Sequence, residues 1–289
     1  MSIIEPVIRP PAEANSFLLQ LTLGCSANFC IFCGIYKNKP FSIKDSTEIT
    51  ADIKQQADYD KNTRRVFLID GDALVLDNHK LVPILKEIAQ AFPKLSRISS
   101  YANGHNISQR TDDELKELKD NKLSLIYIGL ESGSQDILDY CHKRAKAIEM
   151  IEAVNRASLA GIKSSVIVLL GLGGLKHSKD HVQATIEALN LMQPRYLSFL
   201  SLMVIPGTEL ADEVKKGNFK ELNPLELLKE FYQIIKGLKL NKTIFRSNHA
   251  SNHISLEGSF PKDKIKLLNT LELAINGEVM LKPEFLRGL

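Results

Sequence analysis

Six short apolar runs, each set off from the next by an amphipathic stretch, restrict this chain more than any other feature. They lie at 17–23, 65–70, 97–101, 125–130, 165–170 and 197–204 and are rich in Val, Ile, Leu and Phe. Most are apolar throughout rather than alternating, as strands covered on both faces of a parallel sheet are. The segments between them carry helix signals. Thr111 to Glu114 spells a capping box followed by Leu115 and Leu118, and Ser134, Ser178 and Thr208 stand where N-caps are expected. Residues 78–92 and 148–160 place apolar side chains at helical spacing, and Gly161 follows as a stop. Strand–helix units in series imply a parallel α/β sheet, either open or curled into a partial barrel.

Right-handed crossovers bring the C-terminal ends of such strands to one rim. The chemically unusual residues collect at those ends. Cysteines 25, 30 and 33 follow the first run, Asp70-Gly-Asp72 ends the second, and Ser99-Ser-Tyr101 ends the third. Glu131-Ser-Gly133, Gly171-Leu-Gly-Gly174 and Pro206-Gly-Thr208 end the others. That distribution is the one expected of an active site built on strand ends.

Cys25, Cys30 and Cys33 form a C-x4-C-x2-C triplet, and Cys141 stands apart as a packed thiol. Three thiolates can bind three irons of a cubane and leave the fourth open, while a zinc site would need a further ligand such as His105. Four cysteines in 289 residues make no disulfide framework, so the crowding reads as metal or redox chemistry in a reducing compartment, the cytoplasm. The N-terminus lacks the apolar core of a signal peptide, and no run approaches membrane-spanning length. A net charge of +3, from 37 basic and 34 acidic residues, argues against a nucleic-acid binder recognised by bulk charge.

The cysteine segment resembles the signature of radical S-adenosylmethionine (SAM) enzymes, usually C-x3-C-x-aromatic-C, with a first gap one residue longer than the commonest form. The resemblance covers about 17–208 and implies a partial (β/α)6 TIM-type barrel over 16–242. An N-terminal extension over 1–15 would precede it, and a C-terminal loop and helix over 243–289 would close it. It further implies a [4Fe–4S] cluster on Cys25, Cys30 and Cys33, with Phe32 against the adenine of SAM. Asp70, Gly71 and Asp72 occupy the place of the family's Gly-Gly-Glu motif, of which the backbone role carries over. Residues 127–134 are similar to the fourth-strand segment of the coproporphyrinogen-oxidase-like and methylthiotransferase-like branches. Glu131 is then expected on the SAM ribose, Lys143 (or its neighbour Arg144) on the SAM carboxylate, and Gly171 beside the adenine.

By the same resemblance, a flavodoxin or ferredoxin would supply the electron that splits SAM into methionine and a 5′-deoxyadenosyl radical, which takes hydrogen from a small-molecule substrate. A nucleic-acid substrate is disfavoured for want of an appended binding module. With Cys141 alone left over, an auxiliary three-cysteine cluster is excluded, and the length leaves no room for a cobalamin domain. Tyr101, Arg246, His249 and His253 are the candidates for substrate contact; an arginine there would suit a carboxylate or phosphate. The competing reading is a non-catalytic iron–sulfur or zinc protein on the same barrel.

Overall fold

A computed structural model describes residues 3–288. Its first part holds β1 (Phe17–Gln20), the two-residue strands β2 (Thr22–Leu23) and β3 (Ser42–Ile43), α1 (Ser46–Tyr59), β4 (Arg65–Ile69), α2 (Asn78–Ala91) and β5 (Arg97–Ala102). There follow α3 (Gly104–Ser108), α4 (Asp112–Asp120), β6 (Leu123–Glu131), α5 (Gln135–Tyr140), α6 (Ala147–Leu159), β7 (Lys163–Leu170) and α7 (Gly174–Met192). The chain continues through β8 (Tyr196–Ser201), α8 (Glu209–Lys215), α9 (Pro224–Gly237), β9 (Ile244–Ser247), β10 (Leu256–Ser259) and α10 (Lys264–Ile275). Eight strands hydrogen-bond in the order β1-β4-β5-β6-β7-β8-β9-β10, all neighbours with recorded registers parallel except β9 and β10.

The chain forms two compact units. One takes residues up to 28, 35–128 and 153–164; the other takes 29–34, 129–152 and everything from 165 onward. In the first, Phe17 pairs with Val66, Val66 with Ile98 and Ser99 with Leu125, so consecutive crossovers run the same way. The N-terminal extension is fastened to this sheet. The Glu13 carboxylate, fully buried, accepts from Arg97 (2.6 Å), Tyr127 (2.7 Å) and Ser16 (2.6 Å).

In the second unit β7 pairs with β8 from Ser165–Tyr196 to Leu170–Ser201, and β8 with β9 through Ser198–Arg246. Phe199, Phe231 and Phe245 pack at 5.2–6.0 Å between ring centres and join the sheet to α9. Aromatic side chains of this size supply much of the apolar burial that docks a helix on a sheet.

Each of the six runs carries a strand, and five local corrections are needed. The first run breaks: Leu21 ends its pairing with β4, and Thr22 and Leu23 turn away to pair with Ile43 and Ser42. The last run stops at Ser201, three residues short. Thr208 caps α8 through the Ala211 N–H, and Thr111 and Glu114 close their capping box, but Ser134 gives no side-chain cap. Ser178 is no cap either: α7 begins at Gly174, kinks at His177, and the Ser178 hydroxyl goes to Glu230. Finally, the tail after residue 243 is more than a loop. Its β9 and β10 extend the sheet, although Arg246, Asn248 and Ser255 make the segment read as polar.

Candidate radical SAM site

The loop after β1 is anchored within its own unit by a buried ion pair. Asp70, at the C-terminal end of β4, accepts from Gly24 N–H (3.1 Å) and Gln20 (3.2 Å) and pairs with Lys39 at 2.9 Å, both charges being nearly inaccessible. Lys39 spends its other protons on the carbonyls of Ile4 and Pro6. Burial raises the Asp70 pKa, and Lys39 works against that shift. Because removing one member strands the other, such a pair fixes geometry more surely than it adds stability. Here it fixes the approach to Cys25.

Cys25 lies directly on Gly71. A Cβ on that glycine would come within 2.5 Å of the Cys25 Cβ, so the close approach of thiol and backbone requires the missing side chain. Next to it, Asp72 is fully buried; one carboxylate oxygen takes hydrogen bonds from Ser26 and Asn106 (2.6 Å). The Asn103 N–H also faces the carboxylate, yet Oδ1 is left without a well-formed hydrogen bond. An inaccessible carboxylate oxygen lacking a partner is costly unless a cationic or donor group meets it.

In the second unit, Cys33 N–H donates to Cys30 C=O (3.1 Å), a turn that brings the two residues to one bend. Ile31 between them is held at both ends, its N–H on Cys141 C=O (3.1 Å) and its C=O on Leu210 N–H (3.0 Å). Phe32 packs on the core of Ile31, Ile137, Cys141, Leu172, Leu202, Leu210 and Phe219. Burial raises the Cys30 pKa while the Lys143 ammonium pulls it back. Cys141, as expected, is an enclosed thiol; burial pushes its pKa up to about 12. None of the four cysteines is in a disulfide. Among the described residues no three His, Cys, Asp or Glu side chains stand ready-placed around an ion.

Glu131 and Lys143 meet at 3.1 Å, while Arg144 stays exposed. Glu131 sits at φ +60°, and Ser132 N–H donates across it to Leu130 C=O (2.7 Å). This tight three-residue turn holds a non-glycine residue in a sparsely populated region at a cost of about 1–3 kcal/mol. Asp70 (φ +69°) and Gly171 (φ +84°) leave their strands in the same left-handed way. The Gly171 N–H donates to Glu230 Oε1 (2.6 Å), and a Cβ there would strike Leu227 of α9 at 2.9 Å. Its lack of a side chain therefore serves the approach of α9.

Tyr101 lies edge-on to Phe67 and tilted against Tyr127, with its pKa raised by burial and by Glu13. Arg246 is exposed on β9, in register with Ser198 and Glu257. His249 is bonded to Ser251 (2.9 Å), and burial lowers its pKa. His253 is buried, with Nδ1 on the Lys282 carbonyl at 3.0 Å, a bond that fastens the C-terminal segment. His105, in α3, is half-buried. Sequence reasoning passed over Gln20, Lys39, Asn106 and Glu230, and took His181 for an ordinary polar residue. Three of them were visible in principle: Gln20 is a polar residue in an apolar strand, and His181 and Glu230 interrupt the apolar stripes of α7 and α9.

Residues 19–213 match the radical SAM superfamily. The chain belongs to that superfamily. It is therefore an enzyme of a family named for radical chemistry on SAM, and a [4Fe–4S] cluster and SAM are the cofactors that membership implies. Among curated proteins it is 23% identical to heme chaperone HemW of Bacillus subtilis over 60% of this chain and 45% of that protein. It is 24% identical to an uncharacterised methyltransferase of Pyrococcus horikoshii, over 78% of this chain and 50% of that one. The chain thus spans about half the length of these curated relatives. Among solved structures, coproporphyrinogen III oxidase (HemN) of Escherichia coli, a radical SAM enzyme, superposes with a TM-score of 0.57 at 14% identity, covering 76% of this chain and 51% of that one. Methylornithine synthase (PylB) gives 0.52 at 15% identity over 90% and 81%. At these identities the likeness establishes the fold, a mostly parallel α/β sheet of the radical SAM partial-barrel kind. Among the described residues no helix is long and apolar enough to cross a membrane.

Proposed function

We propose that this protein binds a [4Fe–4S] cluster through Cys25, Cys30 and Cys33, cleaves SAM reductively and abstracts a hydrogen atom from a small-molecule substrate. The observation that carries the reading is the pair of prepared surfaces beside the cysteines: the Gly71–Asp72 backbone against Cys25, and the Glu131–Lys143 pair facing Cys30. The donors fit the group, since three thiols outside any disulfide, within nine positions of one another, can serve three irons and leave the fourth to a ligand.

Held by Cys25, Cys30 and Cys33, the cluster would supply the one-electron reduction that cleaves SAM and so provides the hydrogen-abstracting radical chemistry. The chain's own residues bind and orient. The partnerless Asp72 Oδ1 suits the ammonium of the methionine moiety, a charge-assisted contact that would relieve its burial. Lys143 offers its ammonium to the SAM carboxylate, and Glu131 its carboxylate to the ribose hydroxyls, each giving up part of their mutual bond. Phe32, fixed on the apolar core, supplies a flat face for the adenine. Arg246 has an exposed guanidinium on the sheet and suits a carboxylate or phosphate on the substrate. His249, His253 and Tyr101 remain candidates for substrate contact, each already engaged by a neighbouring group. A flavodoxin or ferredoxin in the cytoplasm would deliver the electron.

Anaerobic reconstitution with iron and sulfide, followed by dithionite and SAM, tests this directly. The parent should bind iron, show thiolate-to-iron absorption and release 5′-deoxyadenosine; Cys25→Ala, Cys30→Ala and Cys33→Ala should each abolish all three. Iron and absorption without any 5′-deoxyadenosine would instead assign the chain to a non-catalytic cluster protein.

A further inference from the structure

The exits of β6 and β7 are tied together from behind by two residues outside the cysteine motif. At the end of β7, Gly171 turns its N–H out of the strand ladder onto Glu230 Oε1 (2.6 Å), and the other Glu230 oxygen accepts from Ser178. At the end of β6, Ser132 closes the strained turn around Glu131, and its Oγ meets His181 Nδ1 at 2.8 Å while accepting from Ser134 N–H at 3.1 Å. His181 Nε2 then comes within 3.7 Å of Glu230 Oε1 and has no hydrogen-bond partner of its own. Glu230 is 3% exposed and His181 not at all, so the pairs Ser132–His181 and Glu230–Gly171, which approach each other without a hydrogen bond between them, are sealed from water.

A plain helix-docking role does not account for this arrangement. Apolar residues of the same volume would dock α7 and α9 on the sheet without the desolvation cost of a buried carboxyl and imidazole. The partners are also selective. One group is hydrogen-bonded to the residue after Glu131, the other to Gly171, and these are the two segments assigned above to the ribose and adenine of SAM. We infer that Glu230 and His181 are positioning residues for SAM, holding the exits of β6 and β7 in the one arrangement that accepts the nucleoside. This deepens the function proposed above and rests on it. Loss of the Glu230 acceptor frees the Gly171 N–H. Loss of the Ser132 hydroxyl leaves the backbone bond of the turn in place but removes the oxygen that meets His181 and accepts from Ser134 N–H, so the turn that aims Glu131 loses its support. A buried polar group left unpaired in this way costs roughly tenfold to a hundredfold in an equilibrium.

The test measures three quantities on reconstituted parent, Glu230→Leu, Glu230→Gln and Ser132→Ala: SAM affinity by equilibrium dialysis, iron bound per chain, and Tm. The expected result is SAM affinity weakened roughly tenfold to a hundredfold in Glu230→Leu and Ser132→Ala, with iron content equal to the parent's. Glu230→Gln, which keeps an oxygen for the Gly171 N–H, should restore affinity to within about threefold of the parent. Ser132→Ala removes a single oxygen atom and keeps the comparison open if Glu230→Leu fails to fold. Parental affinity in Ser132→Ala and in whatever Glu230→Leu folds, with only Tm lowered, overturns the inference alone. Failure of the iron-loaded parent to bind SAM overturns the underlying reading, and the inference with it.

Discussion

Substituting Glu230 and His181 one at a time should tilt the pH dependence of stability in opposite directions. Burial pushes the Glu230 carboxyl up from 4.5 to about 7, and pushes the His181 imidazole down from 6.5 to about 4. Between those values the folded pair holds one proton, on the carboxyl, and carries no charge. For Glu230 the folded pKa lies above the unfolded one, so its contribution is complete below about pH 4.5 and is lost as the pH rises through about 7. For His181 the folded pKa lies below the unfolded one; unfolding takes up a proton, and the resulting penalty fades as the pH rises from about 4 through 6.5.

Each shift corresponds to about 3 kcal/mol over its full window, and to about 2 kcal/mol between roughly pH 5 and 6.5. In the parent the two slopes nearly cancel. Thermal unfolding of parent, Glu230→Gln and His181→Asn across that interval isolates them, because every other titrating group drops out of the difference. Relative to the parent, the Tm of Glu230→Gln should climb with pH by roughly 5 °C, and that of His181→Asn should fall by a similar amount. Flat differences, or slopes of the opposite sign, would show a charged imidazolium–carboxylate pair and refute the reasoning from desolvation.

Lys39→Met leaves the Asp70 carboxylate buried without its cation and should cost about 3–5 kcal/mol in denaturant unfolding, with Lys39→Met/Asp70→Asn recovering much of the loss. Gly71→Ala drives a methyl group into Cys25, so it should lower the iron bound on reconstitution more than it lowers Tm. Gly171→Ala meets both a left-handed backbone and Leu227, and should destabilise by about 2 kcal/mol or more, read as a drop in Tm.

Much of the fold was legible because burial on two faces leaves a plain mark: runs such as 65–70 and 165–170 are apolar almost without interruption, and they became β4 and β7. β9 and β10 escaped notice because Arg246 and Glu257 point to the less covered side of an edge pair, which makes their sequence look like a loop. At the site, Glu131 and Lys143 are singled out by the sequence as separate candidates twelve residues apart, and their 3.1 Å contact with each other is not foreseen; it arises because a strand exit followed by a short helix returns the chain to its start. Ser178 misled because a serine before an amphipathic stretch signals a cap, whereas here its hydroxyl serves a carboxylate 52 residues away. Side-chain bonds of that range follow from tertiary packing, which local pattern does not encode.

The superfamily match ends at residue 213, and the carboxylate that receives the Gly171 N–H lies beyond it on α9. A chimera assembled by joining the matched segment to another protein's C-terminal helices would inherit the cysteines and the strand exits without that acceptor. Unless the grafted helix brings an oxygen to the same spot, an amide at the end of β7 would be enclosed with nothing to accept its proton. Specificity exchange in this lineage is therefore constrained from the rear of the sheet as much as from its rim.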